Sequence, residues 1–284
     1  MSKHQVEHKP LLSLEERIKR QMIGTAFVEE YLKTVLLTGR VKFESPLSTF
    51  LIAKPEHGKT SIVLESPFAC AVDVTDSTGK GLMEIMKYKP EVSHIIFNDL
   101  TIITAHGRTV RSYLISVINA MTEEGVRSVA FPGQVEVFQH GKRGIIACCT
   151  PSLISDSRTW FNKIGLTTRI LPFHYAYSEQ LIVKIKASIS RDSKPETPKG
   201  LSVPAAAIEV VCEDIFAKKI QEIADKKSEE IGDDTGIRRL KQFRRLAKAH
   251  ALLRGWQKPK VNSEDIDFLM RLFPYQDYQK GCIL

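Results

Sequence analysis

Residues 53–60 read Ala53-Lys54-Pro55-Glu56-His57-Gly58-Lys59-Thr60, a loop-like run between a strand-like apolar stretch and a helix-like one. A Gly-Lys-Thr in that setting can bind phosphate. Backbone N–H groups cradle the anion, the lysine ammonium reaches the outer phosphates, and the threonine hydroxyl serves a magnesium ion. The candidate contacts are therefore Glu56, His57, Gly58, Lys59, Thr60 and Ser61, with Thr60 on the metal side. Ala53 stands where the stricter pattern has glycine, at a position that chiefly needs a small residue.

Further along, His94-Ile95-Ile96-Phe97-Asn98-Asp99-Leu100 is an apolar strand ending in a polar pair. In nucleotide hydrolases such a strand end supports Mg²⁺ and orients the attacking water. Two registers fit. With Asn98 on the metal side, Asp99 polarises the water; with Asp99 on the metal side, Leu100 leaves no carboxylate for the water. Spacing favours the first, and either leaves one carboxylate fewer than the usual pair. That shortage bears on the speed of hydrolysis more than on binding.

These residues need a scaffold that brings strand ends together. Apolar runs of strand length occur at residues 49–53, 68–74, 93–97, 144–149 and 168–173, with room for helices between them. This alternation predicts an α/β fold, a phosphate-loop three-layer αβα sandwich with a five-stranded parallel sheet. Residues 11–39 have helical spacing, with Ser13 and Glu16 as a capping box and Gly39 as a stop. Residues 126–131 and 135–138 predict an extra β-hairpin reaching a basic turn at His140, Lys142 and Arg143. The proline-rich residues 191–204 predict a linker, dividing the chain into residues 1–190, the linker and a helical part at 205–284. In that last part Ser263-Glu264-Asp265 starts a short final helix.

Together these features resemble the AAA+ ATPase superfamily, over roughly residues 12–273. The run Ile145-Ile146-Ala147-Cys148-Cys149-Thr150-Pro151 is similar to the strand ending in the family's first sensor, with Thr150 in place of the more usual asparagine. The segment from Trp160 to Leu171 resembles the one that carries an arginine finger, which implies that Arg169 acts in trans on a neighbouring subunit's nucleotide. Residues 236–251 and 261–266 are similar to the helical lid of the minichromosome-maintenance and magnesium-chelatase branch. That likeness implies Arg238 as a nucleotide sensor, with Arg239 as a neighbouring alternative, and a stripe of Ile237, Leu240, Phe243, Leu246 and Leu253 for packing. The same branch carries a hairpin before the sensor strand, so His140, Lys142 and Arg143 become candidate nucleic-acid contacts.

The resemblance implies ATP and Mg²⁺ as cofactors and a homo-oligomer, ring or helical filament, with nucleotide between subunits. Composition bears on the partner. The 284 residues carry 41 Lys and Arg against 33 Asp and Glu, a net charge of +8 that suits a polyanion such as DNA. Residues 238–260 hold nine basic side chains and no acidic one. DNA contact is expected through backbone phosphates rather than bases, as in a motor or loader. A protein-remodelling ATPase of chelatase type with a protein partner, or an ATP-gated assembly switch with slow turnover, are the alternatives. Cys148 and Cys149, adjacent in an apolar run, read as small buried hydrophobes rather than metal ligands. No apolar run reaches membrane-spanning length and residues 1–10 lack a signal peptide's apolar core, so no membrane partner and a cytoplasmic location are expected.

Overall fold

The computed structural model describes residues 24–64, 70–131, 134–137, 141–190, 201–233 and 235–284. The strands are β1 (Ser48–Ile52), β2 (Ala71–Val74), β3 (His94–Phe97), β4 (Ser128–Phe131), β5 (Gln134–Val137), β6 (Gly144–Cys149), β7 (Ile170–Ala176) and β8 (Cys282–Ile283). Six of them form one all-parallel sheet in the order β2-β3-β6-β1-β7-β8, and β4 and β5 form a separate antiparallel pair. The sheet thus has one strand more than the five expected. The extra one, β8, pairs Cys282 with Tyr175 and Ile283 with Ala176, too short to show as an apolar run.

Residues alternate strictly between the two faces of these strands. Phe50, Ile52, Ile95, Phe97, Ile145 and Ala147 pack on one face. Their neighbours Leu51, Ala53, Ile96, Ile146 and Cys148 pack on the other. Both faces are buried, which is why the strands read as unbroken apolar runs. The first face is covered by α3 (Gly79–Tyr88), α4 (Thr101–Ala105), α5 (Arg108–Thr122) and α6 (Pro151–Lys163). Leu82, Met86, Leu114, Ile118 and Phe161 fill that layer.

The second face is covered by α1 (Ala26–Leu37) and α2 (Lys59–Leu64), and beyond them by α9 (Asp214–Ile231), α10 (Ile237–Arg254) and α11 (Ser263–Leu272). A one-turn helix α7 (Leu166–Arg169) precedes β7, and α8 (Glu179–Ser190) follows it. Val28, Tyr31, Leu32 and Val35 recur at helical spacing on α1 and are fully buried. Tyr31 stacks on Phe173 of the sheet at 4.5 Å and its hydroxyl pairs with Thr49 at 2.8 Å. Phe243, Leu246 and Phe268 belong to the same core, so the C-terminal helices and this face of the sheet share one apolar interior through α1. Ile237, expected in the packing stripe of α10, is instead 59% exposed. Residues 11–23 of the expected N-terminal helix and residues 191–200 of the expected linker lie outside the described residues. Among the described residues no helix is long and apolar enough to cross a membrane.

A buried ionic cluster ties these layers together. His250 Nδ1 donates to Asp265 at 2.7 Å and Nε2 to Glu30 at 3.1 Å, which joins α10 to α11 and to α1. Arg254 donates twice to Asp265, at 3.0 and 2.6 Å, and Arg271 donates to Glu30 at 2.8 Å. Burial works against the charge on His250, but Asp265 and Glu30 outweigh it and raise its pKa above the ordinary histidine value. A raised pKa adds stability that is complete below the unfolded value and fades as pH climbs through the folded one. His250→Gln is therefore expected to cost about 3–5 kcal/mol at acidic to neutral pH, since two buried carboxylates lose their shared cation. Thermal melts across the alkaline range should show the gap from wild type narrowing as pH rises; a gap independent of pH would mean that His250 is neutral in the fold.

Candidate functional site

The loop from Ala53 to Gly58 joins the carboxyl end of β1 to α2, the strand-loop-helix setting the sequence implied. The Ala53 amide donates to Cys149 O at 3.3 Å, fixing the loop's first residue to β6. Gly58 has φ of 69°, a left-handed conformation that glycine adopts without steric cost, and Glu56 adopts 62° despite its side chain. Lys59 folds back over this bend, donating from Nζ to Ala53 O at 2.7 Å and Lys54 O at 2.8 Å. Burial lowers its pKa from the ordinary lysine value, against the opposing pull of Cys148, Cys149 and the Asp99 carboxylate. Thr60 and Ser61 are exposed at the start of α2. The His57 ring stacks on Tyr177 at 4.7 Å, and its carbonyl accepts from the Tyr175 hydroxyl at 2.7 Å, so β7 braces the loop from its other side.

Asn98 and Asp99 follow β3 at the same edge of the sheet. Asp99 Oδ1 accepts from the Thr101 amide at 2.9 Å, which leaves its second oxygen for other partners. Asn98 Nδ2 donates to Asp73 Oδ1, while Asn98 Oδ1 is buried with no partner. Asp73 was not among the sequence candidates. Its only sequence signal is a lone carboxylate near the end of an apolar strand, and its neighbour becomes known only with the strand order. Thr150 follows β6 and caps α6, accepting from the Leu153 amide at 3.3 Å and pairing with Ser152 Oγ at 3.0 Å. Burial pushes the Cys148 thiol up to about 12; Lys59 pulls it down while Asp99 and Asp73 push it further.

No protein-family model matches this chain, and no curated protein matches it either.

Arg169 lies at the opposite edge. It closes α7 directly before Ile170, which pairs with Ser48, the first residue of β1, whereas the loop at residues 53–58 leaves from the last. The length of β1, about 13 Å at the rise of a parallel strand, separates the two levels. Gly165 has φ of 68°, and an added Cβ there would stand 2.2 Å from Arg169 Nη1, so glycine permits both the turn and the arginine's approach. Arg169 Nη1 donates to Gly165 O at 2.6 Å, and Nε pairs with Glu123 at the end of α5. Arg238, in the first turn of α10, pairs with the same Glu123 and donates to Thr168 Oγ1 at 2.6 Å. Burial opposes charge on Glu123, yet Arg169 and Arg238 hold its pKa below the ordinary glutamate value. Gln242 ties α10 to the Arg169 carbonyl at 3.3 Å.

Arg238 is thus placed beside Arg169 rather than beside the loop at residues 53–58 of its own chain. Arg239 offers no substitute: it is buried, and its Nε and Nη1 have no hydrogen-bond partner. Arg169 and Arg238 line a cleft of about 530 Å³ together with Lys142, Lys241 and Arg245.

The expected hairpin is present as β4 paired antiparallel with β5, from Ser128 against Val137 to Phe131 against Gln134, and the basic residues come after its second strand. His140 lies outside the described residues. Lys142 is exposed and donates to Ser45 Oγ at 3.3 Å, on the return toward β6. Arg143 is 3% exposed and donates to Lys142 O at 2.8 Å, which removes it from any surface contact. Much of the basic run at 238–260 is also spent internally, because Arg244, Arg245 and Lys248 converge on the buried Glu44.

Proposed function

We propose that this chain binds and hydrolyses ATP as an oligomeric AAA+ motor or loader acting on nucleic acid. The observation that carries the reading is Lys59. Its ammonium is folded onto a bent loop at the carboxyl end of β1, with Asn98 and Asp99 at the end of β3, on the other side of β6. That is the layout a phosphate-binding loop requires of a parallel sheet. Lys59 would exchange its two carbonyl partners for phosphate oxygens, and the loop amides would accept the anion without rearranging a side chain.

The oxygen chemistry of Thr60, Asn98 and Asp99 suits Mg²⁺, and the orphaned Asn98 Oδ1 is a buried acceptor with no protein donor. Bound there with ATP, Mg²⁺ would neutralise charge on the outer phosphates. Asp99 would orient the attacking water with the oxygen that Thr101 leaves free. Arg169 and Arg238 stand at the far edge of the same sheet, so a second copy's loop is the one they would meet. Such head-to-tail contact generates a ring or a filament.

Nucleic acid is favoured as the partner by the net charge of +8 and by exposed Lys142 beside the hairpin. The slow assembly switch is a second reading, favoured by Asn98 in a carboxylate's place and by Thr150 being engaged as a helix cap. Steady-state ATP hydrolysis with and without single-stranded and duplex DNA, over a salt series, separates these readings. Stimulation by DNA that fades as salt rises is the expected outcome, because phosphate contacts release counterions. Turnover indifferent to DNA at every salt concentration would move the assignment to protein remodelling, and tight ATP binding with almost no turnover to the switch.

A further inference from the structure

We propose that Asp73 supplies the metal-side carboxylate of the nucleotide site, taking from strand β2 the role that Asn98 cannot fill from β3. This rests on the ATP reading above. The backbone register sets the geometry: Asp73 stands opposite Ile96 and Val74 opposite Phe97. Val74 and Phe97 pack under α5, so Asp73, like Ile96, projects from the other face. That face carries α2, through Ile62 and Val63, and the first residue of α2 is Lys59.

Asn98 Nδ2 donates to Asp73 Oδ1 and leaves the second oxygen of the exposed Asp73 free. The amide cannot flip to pair its own oxygen with a carboxylate, so the bond also fixes which way Asn98 Oδ1 points. Two oxygens from two strands, one charged and one neutral, then flank the edge to which the phosphate loop is tied. Asp73 lies one residue before the end of β2 and Asp99 follows the end of β3, at the same carboxyl edge from which the Lys59 loop leaves β1. Among the described residues no three His, Cys, Asp or Glu side chains cluster as a complete metal cage. Magnesium does not require one, since it takes one or two carboxylates and fills its remaining positions with phosphate and water. Counted in space, the site has the pair of carboxylates of which the linear motif supplies only one: Asp73 for the metal and Asp99 for the water.

The test measures ATP affinity by calorimetry on the full chain, once with Mg²⁺ and once with EDTA. Wild type is expected to bind more tightly with Mg²⁺. Asp73→Asn should keep its EDTA affinity and its melting temperature while losing about 10-fold or more of the Mg²⁺-dependent gain, the usual effect of removing a group from a metal's surroundings. The exchanged pair Asp73→Asn with Asn98→Asp returns a carboxylate to the same two strand ends and should recover the gain. An unchanged Mg²⁺ effect in Asp73→Asn overturns the inference. So does an exchanged pair no better than the single variant, since Asp73 would then act only by holding Asn98. Wild type binding no ATP, or Lys59→Ala binding it normally, sinks the ATP reading itself, a result separable from failure of Asp73 alone.

Discussion

Lys59→Ala is expected to abolish measurable ATP binding and, with it, all hydrolysis. The ammonium already sits against the loop's bend, held by two carbonyls at 2.7 and 2.8 Å that a nucleotide would replace. Burial disfavours the free charge there, as the lowered pKa of Lys59 records, so an incoming anion relieves an existing cost. A charge-assisted hydrogen bond contributes about 1.5–3 kcal/mol, and losing two of them weakens binding by about 100-fold or more. The fold should hardly notice. Lys59 is half-buried and spans only one loop, so the melting transition is expected to move by no more than about 1 kcal/mol of stability. Calorimetric titration of ATP beside a thermal melt checks both halves. Hydrolysis at the wild-type rate would remove the phosphate-loop assignment, and a collapsed melt would make Lys59 structural.

The loop was legible because everything it needs is contiguous. Strand end, bend, lysine and helix start follow one another, and β1, β3 and β6 announce themselves as apolar runs because both their faces are covered. Legibility failed wherever a partner arrives from another part of the chain. Asp73 meets Asn98 only through the pairing of β2 with β3, and Glu123 meets Arg169 and Arg238 only once α5, α7 and α10 are packed.

The basic run at 238–260 misled for the same reason. Its charges read as a free surface, but Arg254 belongs to Asp265 and three others belong to Glu44. Local chemistry misled once as well. Residues 168–169 have strand-like sequence, yet Gly165 turns the chain left-handed and a single helical turn follows before β7 begins. That turn is what aims Arg169 at Glu123 and the cleft.

Arg169→Ala should leave ATP binding within about twofold of wild type while turnover falls by about a thousandfold, the lower end of what an arginine finger contributes. The separation of effects follows from position. Arg169 precedes the first residue of β7 and the loop follows the last residue of β1, so removing one leaves the other intact. Arg238 shares Glu123 with Arg169, and Arg238→Ala is expected to follow the same pattern with a smaller loss, because it keeps the Arg169 guanidinium in the cleft. Mixing decides whether the site is shared. Arg169→Ala subunits retain a loop and Lys59→Ala subunits retain an arginine, so neither works alone. Combined in equal amounts they form head-to-tail contacts of which about one in four unites an intact loop with an intact arginine. Activity in the mixture should therefore rise to about a quarter of wild type. A mixture as dead as its components would place Arg169 and Lys59 in service of the same subunit, and the two edges of this sheet would then require a conformational change, not a neighbour, to meet.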